Sequence, residues 1–321
     1  RFTANPSSTE PAEAKLAETG KVLESEDGGG LDGWELATGR DLRSGLVAGE
    51  RVGAVSADAK RVVVATKTGH ELRDDGKPGT KLAPPGGKLT FSTAGRHLLD
   101  AIGWGDFAVR DLDRGTTVKI QTGAARPLLS PDGLRLATYG ESVDLQIWDT
   151  RTGKVIATHD KGARAIAFFP DGKRIAIAVQ DRPKRTATIK ILPIGGKLID
   201  QFEITGWVSD IAIAPDNTEL VVAFENAAVR YTLSTKSRRQ VEVLGSANRV
   251  HFAADASVIA FENYNFVEIR RNDDDLAPLG RIHALTTRGF LVEGAAGATT
   301  GTTDARDAIV TRSTDRAGIV P

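Results

Sequence analysis

A tight-turn motif returning at near-constant spacing, a glycine recurring after strand-like segments, and short β-branched runs without helical period predict an all-β fold of repeated four-stranded sheets. The motif is clearest from Leu128 to Ala137, which reads Leu-Leu-Ser-Pro-Asp-Gly-Leu-Arg-Leu-Ala. Its opening residue falls at 56, 92, 130, 169, 214 and 253, in steps of 36, 38, 39, 45 and 39. A four-stranded blade occupies about 40–45 residues, so the predicted architecture is a β-propeller. Dividing residues 20–293 by the mean step gives seven blades, with eight as the alternative.

The elements follow in chain order. Residues 1–19 are rich in Ala, Glu, Pro, Ser and Thr, the composition of a linker. Residues 20–48 hold strand-like pieces ending in Trp34-Glu35-Leu36-Ala37-Thr38-Gly39, but no first strand with its turn. Repeats then open at Val55–Ala59, Phe91–Gly95, Leu128–Gly133, Ala167–Gly172, Ile213–Asn217 and Phe252–Ala256. In the strongest of them Pro presets the first corner, Asp bonds nearby backbone and Gly accepts a positive φ. Strand-length runs follow, as at Arg61–Ala65, Arg174–Ala178 and Glu219–Ala223. Glycine trails the third strand by five residues at Trp34/Gly39, Arg110/Gly115, Trp148/Gly153 and Ile191/Gly196. Residues 281–286 read as a first strand lacking its blade. Pairing them with residues 20–48 would close a seven-bladed ring and remove exposed sheet edges. In the eight-bladed alternative, Ala308–Thr311 is the third strand of a partial blade. The Gly/Ala/Thr tract from Gly294 to Arg306 opens a C-terminal tail over residues 294–321.

The Ser-Pro-Asp-Gly turn at 130–133 and the pair Trp148 and Asp149 resemble the WD-repeat (tryptophan-aspartate) β-propellers, especially divergent bacterial members. The resemblance covers roughly residues 20–293. It implies a structural role for His159, ten residues before Phe169, which is where the family places its histidine. Only Trp148 and Trp34 occupy the tryptophan position, and the usual Asp partner of the histidine is not evident.

Composition narrows the function. Lys and Arg number 42 against 42 Asp and Glu, for zero net charge over 321 residues, so the basic excess of a phosphate-gripping chain is missing and no nucleic-acid partner is expected. No apolar run approaches the roughly 20 residues that span a bilayer. Zero Cys removes disulfides, thiolate metal sites and cysteine nucleophiles. Zero Met, with Arg1 first, reads as a processed secreted or periplasmic chain or a fragment of a larger protein.

Motifs for chemistry are sparse. Gly28, Gly30 and Gly33 satisfy a dinucleotide-type spacing, but a strand follows where a helix is required. His70, His97, His159, His251 and His283 never fall at metal-ligand pair spacing, and Asn272–Asp275 resembles a calcium loop by charge alone. No cofactor is expected. The runner-up function is a metal-dependent propeller enzyme of lactonase or hydrolase type with an axial site.

The leading expectation is a non-catalytic platform for a protein partner or a neighbouring subunit, with homo-oligomerisation as one form of it. Trp104 and Trp207, flanked by glycine in loops, are candidate contact anchors. The leading ends of the first strands are basic at Arg51, Lys88, Arg126, Arg164, Arg249 and Arg281. Gathered around one axis they would form a positive collar for an acidic partner.

Overall fold

The structure is a computed structural model. It describes residues 46–285 except 75–78, 83–86, 104, 124–125, 160, 254, 265 and 274, together with strand residues 14–16, 22–27, 30–35, 40–41, 289–294 and 299–301. Among the described residues every regular element is a strand. The N-terminal strands are β1 (Ala14–Leu16), β2 (Val22–Asp27), β3 (Gly30–Glu35) and β4 (Arg40–Asp41). Six four-stranded antiparallel units follow. The first is β5 (Arg51–Val55), β6 (Arg61–Thr66), β7 (Gly69–Asp74) and β8 (Lys81–Leu82). The second is β9 (Lys88–Phe91), β10 (His97–Ala101), β11 (Asp106–Asp111) and β12 (Thr116–Gln121). The third is β13 (Arg126–Leu129), β14 (Arg135–Gly140), β15 (Val143–Asp149) and β16 (Lys154–His159). The fourth is β17 (Ala163–Phe168), β18 (Arg174–Asp181), β19 (Thr186–Pro193) and β20 (Asp200–Thr205). The fifth is β21 (Val208–Ile213), β22 (Glu219–Phe224), β23 (Ala227–Thr232) and β24 (Ser237–Glu242). The sixth is β25 (Arg249–Phe252), β26 (Val258–Glu262), β27 (Val267–Arg271) and β28 (Pro278–Leu285), extended by β29 (Gly289–Gly294) and β30 (Thr299–Gly301).

The fold is therefore a β-propeller, and the described residues form six blades and not the seven or eight expected. The extra length is absorbed at the two ends. Strands β1–β4 join the first sheet, with Leu31 paired to Val52, instead of making a sheet of their own. Residues 281–286 are not a first strand. They lie mostly in β28, the fourth strand of the last blade, between β27 and β29; among the described residues β28 forms no ladder with residues 20–48, though β2 comes close to it. The last repeat lacks the glycine that follows the third strand in blades two to four, so nothing local distinguishes its fourth strand from a first one. Strand β1 instead lies beside β26, β27 and β28, reaching from the first sheet to the last. Most of the expected tails, and Ala308–Thr311 with them, fall outside the described residues.

The blades are alike because one turn is built six times. The amide of the fourth residue closes on the carbonyl of the first: Ala59 on Ser56, Gly95 on Ser92, Gly133 on Ser130, Gly172 on Phe169, Asn217 on Ala214 and Ala256 on Ala253. All six fourth residues have positive φ, from 58° at Ala256 to 75° at Gly133. That is the corner for which glycine or asparagine is the natural choice. In the turn at 130–133, Asp132 Oδ1 accepts from Ser130 Oγ at 2.6 Å and from the Leu134 amide at 3.0 Å. Ser56 and Asp58 repeat that arrangement.

Burial lies between the blades. One apolar cluster joins Ile189 and Phe202 of the fourth blade to Leu220 and Tyr231 of the fifth, and another joins Val221 of the fifth to Phe252 and Phe261 of the sixth. Equivalent clusters fill the junctions of blades one and two, two and three, and three and four. Each fully buried Leu, Ile or Phe contributes roughly 1.5–3 kcal/mol, so neighbouring blades stabilise one another. Neighbouring first strands approach across three of these junctions, β5 with β9, β17 with β21 and β21 with β25.

Candidate functional site at the axial mouth

Antiparallel pairing places the start of each first strand at the same end of the molecule as the turn between the second and third strands. Lys88, Arg126 and Arg249 open β9, β13 and β25 there, and all three are exposed. Counted back from the turn-opening residue, these three share one register position with Asp210 of β21, Val52 of β5 and Ala165 of β17. Arg51 and Arg164 lie one residue earlier, and Arg164 occupies a bulge where the register of β17 shifts against β18. Alternation along a strand turns such a residue away from its neighbours in the collar.

The expected collar is thus brought together only in part. Arg164 is committed to the gap between blades: its Nε donates to the Val208 carbonyl at 2.7 Å and its Nη1 meets Glu141 Oε1 at 2.9 Å. Arg51 is exposed at the start of β5. Arg281 belongs to the fourth strand β28, where it pairs with Glu293 at 3.7 Å and lies 5.3 Å from the Phe266 ring centroid. Trp104 falls outside the described residues. Trp207 is half-buried, with the guanidinium carbons of Arg164 and Arg182 at 5.8 and 5.9 Å from its ring centroid. Both arginines also clamp Glu141, whose carboxyl they hold below its usual range, Arg182 foremost and against the effect of burial.

Sequence reasoning passed over the groups beneath the mouth. Tyr139 of β14 is the register partner of Arg126, and Glu262 of β26 that of Arg249. Asp210 Oδ2 accepts from the Val250 amide at 3.1 Å, fastening blade five to blade six. His251 Nε2 lies 3.0 Å from Glu262 Oε1. Tyr139 lies within electrostatic reach of Asp210, Arg126 and Arg249, and Arg126 Nη1 donates to the Arg164 carbonyl of blade four at 3.1 Å. Burial pushes the Asp210 carboxyl up despite His251, the Val250 amide and Arg249. Burial alone would lower His251, but Glu262 and Asp210 outweigh it and the imidazole is raised. Burial and the charge of Asp210 raise the Tyr139 hydroxyl. The signal that would have found Asp210 is its register, the same distance before its turn as Arg126 and Arg249.

Elsewhere, His97 Nε2 lies 3.8 Å from Asp111 and His283 Nε2 lies 3.5 Å from Glu293. Trp148 Nε1 donates to Thr138 Oγ1 at 2.9 Å inside blade three. At the opposite end, His97, Asp111, Arg114 and Arg151 line a cavity of about 160 Å³ between blades two and three. There the His97 ring packs on Gly133, where an added Cβ would sit 2.3 Å from Nδ1. Asn272 to Asp275 lie in and beside the turn after β27, with the Asn272 amide bonded to Glu219 at 2.7 Å. Among the described residues no three His, Asp or Glu side chains are grouped as a metal-ligand set. No helix among them is long and apolar enough to cross a membrane.

No protein-family model matches the chain, and no curated protein matches it. Among solved structures it is similar to a chain of Kuenenia stuttgartiensis hydrazine synthase, with a TM-score of 0.57 and 16% identity over 84% of this chain and 99% of that one. In all, 1332 solved chains match, so the likeness identifies a widely shared architecture and not a close relative.

Proposed function

We propose that the protein is a non-catalytic binding platform, a divergent relative of the WD-repeat propellers, and that a protein partner with an acidic segment docks on the end of the ring where the first strands begin. One observation supports this above the rest. Four strongly exposed apolar side chains, Val47 (66%), Ile102 (41%), Leu244 (45%) and Tyr264 (65%), sit in loops at that end, around the exposed cations Lys88, Arg126 and Arg249. Apolar and aromatic groups beside charge, here of both signs because Asp106, Asp144 and Glu225 are exposed at the same end, are the composition of an interface. A second copy of the chain is one form such a partner takes.

The test compares the two ends. Ile102→Asp with Tyr264→Asp should abolish retention of the partner and of any self-association measured by mass in solution. Leu198→Asp with Ile199→Asp, in the connection before β20 at the other end, should leave both intact. Loss with the second pair and not with the first would refute the assignment. The alternative is a metal-dependent propeller hydrolase, for which no group of three His, Asp or Glu side chains is found among the described residues. It requires that added divalent metal raise the melting temperature and that Asp210→Asn remove the effect.

A further inference from the structure

Blade two differs from its neighbours at the first residue of its second strand. Arg61 and Arg135 open β6 and β14 on either side of it. Arg61 Nη1 donates to the Gly95 carbonyl of blade two at 2.9 Å, and its Nε pairs with its register partner Asp74 at 3.1 Å. A Cβ on Gly172 of blade four would sit 3.4 Å from Arg135 Nη1. Guanidinium groups thus reach across those two junctions. His97 opens β10 with a shorter side chain, and the junction of blades two and three keeps the cavity of about 160 Å³.

Register orders the wall that blade two gives this cavity. Val109 and Val118 are cross-strand partners, packed with the apolar cluster between the blades. His97, Asp111 and Thr116 form the next row of the same sheet face. Thr150 and Arg151 line the cavity from blade three, and Arg114 from the turn after β11. The floor is therefore apolar and the rim polar. Acceptors on that rim are already engaged. Asp111 Oδ1 accepts from the Asp113 and Arg114 amides at 3.1 and 3.0 Å, and Oδ2 from Arg114 Nη1 at 3.3 Å. The Thr150 hydroxyl donates to the Gly133 carbonyl at 2.8 Å. Donors are in surplus. His97 is 6% exposed, and neither ring nitrogen has a hydrogen-bond partner. Its Nδ1 edge lies against Gly133, and its Nε2 is 3.8 Å from Asp111 Oδ2, beyond hydrogen-bond reach. An imidazole carries at least one N–H and a guanidinium five, and both Arg114 and Arg151 are exposed where the cavity meets solvent.

We propose that this cavity binds a small organic acid, with its carboxylate on Arg114, Arg151 and the Nε2–H of His97 and its apolar body on Val109 and Val118. Guanidinium groups match carboxylates through paired N–H donors, and two of them from different blades fix one anion in place. Volume sets the size of the apolar body. A cavity of about 150 Å³ holds one benzene ring, so the ligand is a free molecule of that scale and not a segment of chain. No bond is made or broken. The cavity lies at the end of the ring opposite the axial mouth, and the inference is independent of the platform reading.

Calorimetric titration with benzoate tests it, with benzamide as the neutral isostere and benzamidine as the cationic one. Benzoate should bind one per chain, benzamide at least about 10-fold more weakly, and benzamidine not at all. Arg114→Gln with Arg151→Gln, both at exposed positions, should weaken benzoate by about 10-fold or more. His97→Arg restores the side chain type of the neighbouring repeats, with Asp111 placed for it as Asp74 is for Arg61. It should fill the cavity, keep the fold by thermal melting and abolish binding. Thr116→Phe, which narrows the cavity from an exposed position, should abolish binding as well and serves where His97→Arg fails to fold. Benzamide or benzamidine binding as tightly as benzoate overturns the carboxylate. Affinity unchanged in Thr116→Phe and in a folded His97→Arg overturns the cavity, and affinity unchanged in the double arginine variant overturns the part given to Arg114 and Arg151. A short peptide ending in phenylalanine that binds more tightly than benzoate would assign the carboxylate to a polypeptide terminus and overturn the free acid.

Discussion

At the scale of single residues, the turn corner gives the sharpest expectations. Alanine stands in the left-handed region at Ala59 and Ala256, with φ of 59° and 58°. That conformation costs an L residue about 1–2 kcal/mol, against about 0.4–1 kcal/mol for the freedom glycine adds to the unfolded chain. Ala256→Gly, at a half-buried position, should therefore stabilise by roughly 0.5–1 kcal/mol in urea unfolding. Gly133→Ala should do the reverse. It combines a φ of 75° with a Cβ forced 2.3 Å from His97 Nδ1, and a loss of about 2–4 kcal/mol is expected. His251 supplies the pH dependence. Its raised imidazole contributes stability that is fully present below about pH 6.5 and is lost as pH rises through its folded value. His251→Gln should therefore cost most at pH 5.5 and progressively less toward pH 9, and urea melts across that range would show it. A cost that grew with pH would mean that Glu262 and Asp210 do not hold the proton there.

At the scale of strands and blades, Arg164 links three units: its own blade, Glu141 of the third and Val208 of the fifth. Arg164→Ala should destabilise by about 1–3 kcal/mol. A double-mutant cycle with Glu141→Ala should give a coupling of roughly 0.5–1 kcal/mol, since the pair is only half-buried. Additive effects would show that the carbonyl of Val208, not the ion pair, is what Arg164 serves. This scale is also where the sequence was most legible. Ser-Pro-Asp-Gly at 130–133 announces its turn because each residue type has one local task there, and the five weaker copies adopt the same bonding. The glycine landmark located the turns at Gly115 and Gly153, where each amide closes on the carbonyl four residues back. The candidate site was less legible. Arginine at a strand start looks the same whether it opens its strand at an exposed position, as Arg249 does, or is spent between blades, as Arg164 is. The difference is a one-residue bulge that local composition does not record. Asp210, Tyr139 and His251 come from three separate blades, and nothing local to any of them announces the other two.

For the molecule as a whole, dividing length by repeat assumed that every segment is a blade, whereas strands near both ends enlarged existing sheets. Strand β1 reaches beside the last blade while β3 pairs with the first. Removing residues 1–45 should uncover β5 and the flank of blade six together. The expected result is a melting temperature lower by about 5 °C or more and a broader, less cooperative transition in calorimetry. An unchanged sharp transition would show that the six blades hold without that strap.

The reach of β1 across to β26, β27 and β28 also constrains time. On the ribosome, residues 14–16 emerge before the blades, and the strands they lie beside emerge more than two hundred residues later. At a synthesis rate of about 5–20 residues per second, that segment waits on the order of ten seconds or more for its neighbours. Blades two to five can assemble pair by pair as they emerge, through contacts between adjacent repeats. The junction of beginning and end is a long-range event that comes last and, by its contact order, slowly. Until then the unpaired flanks of the first and sixth blades are the surfaces through which two nascent chains would most readily become entangled.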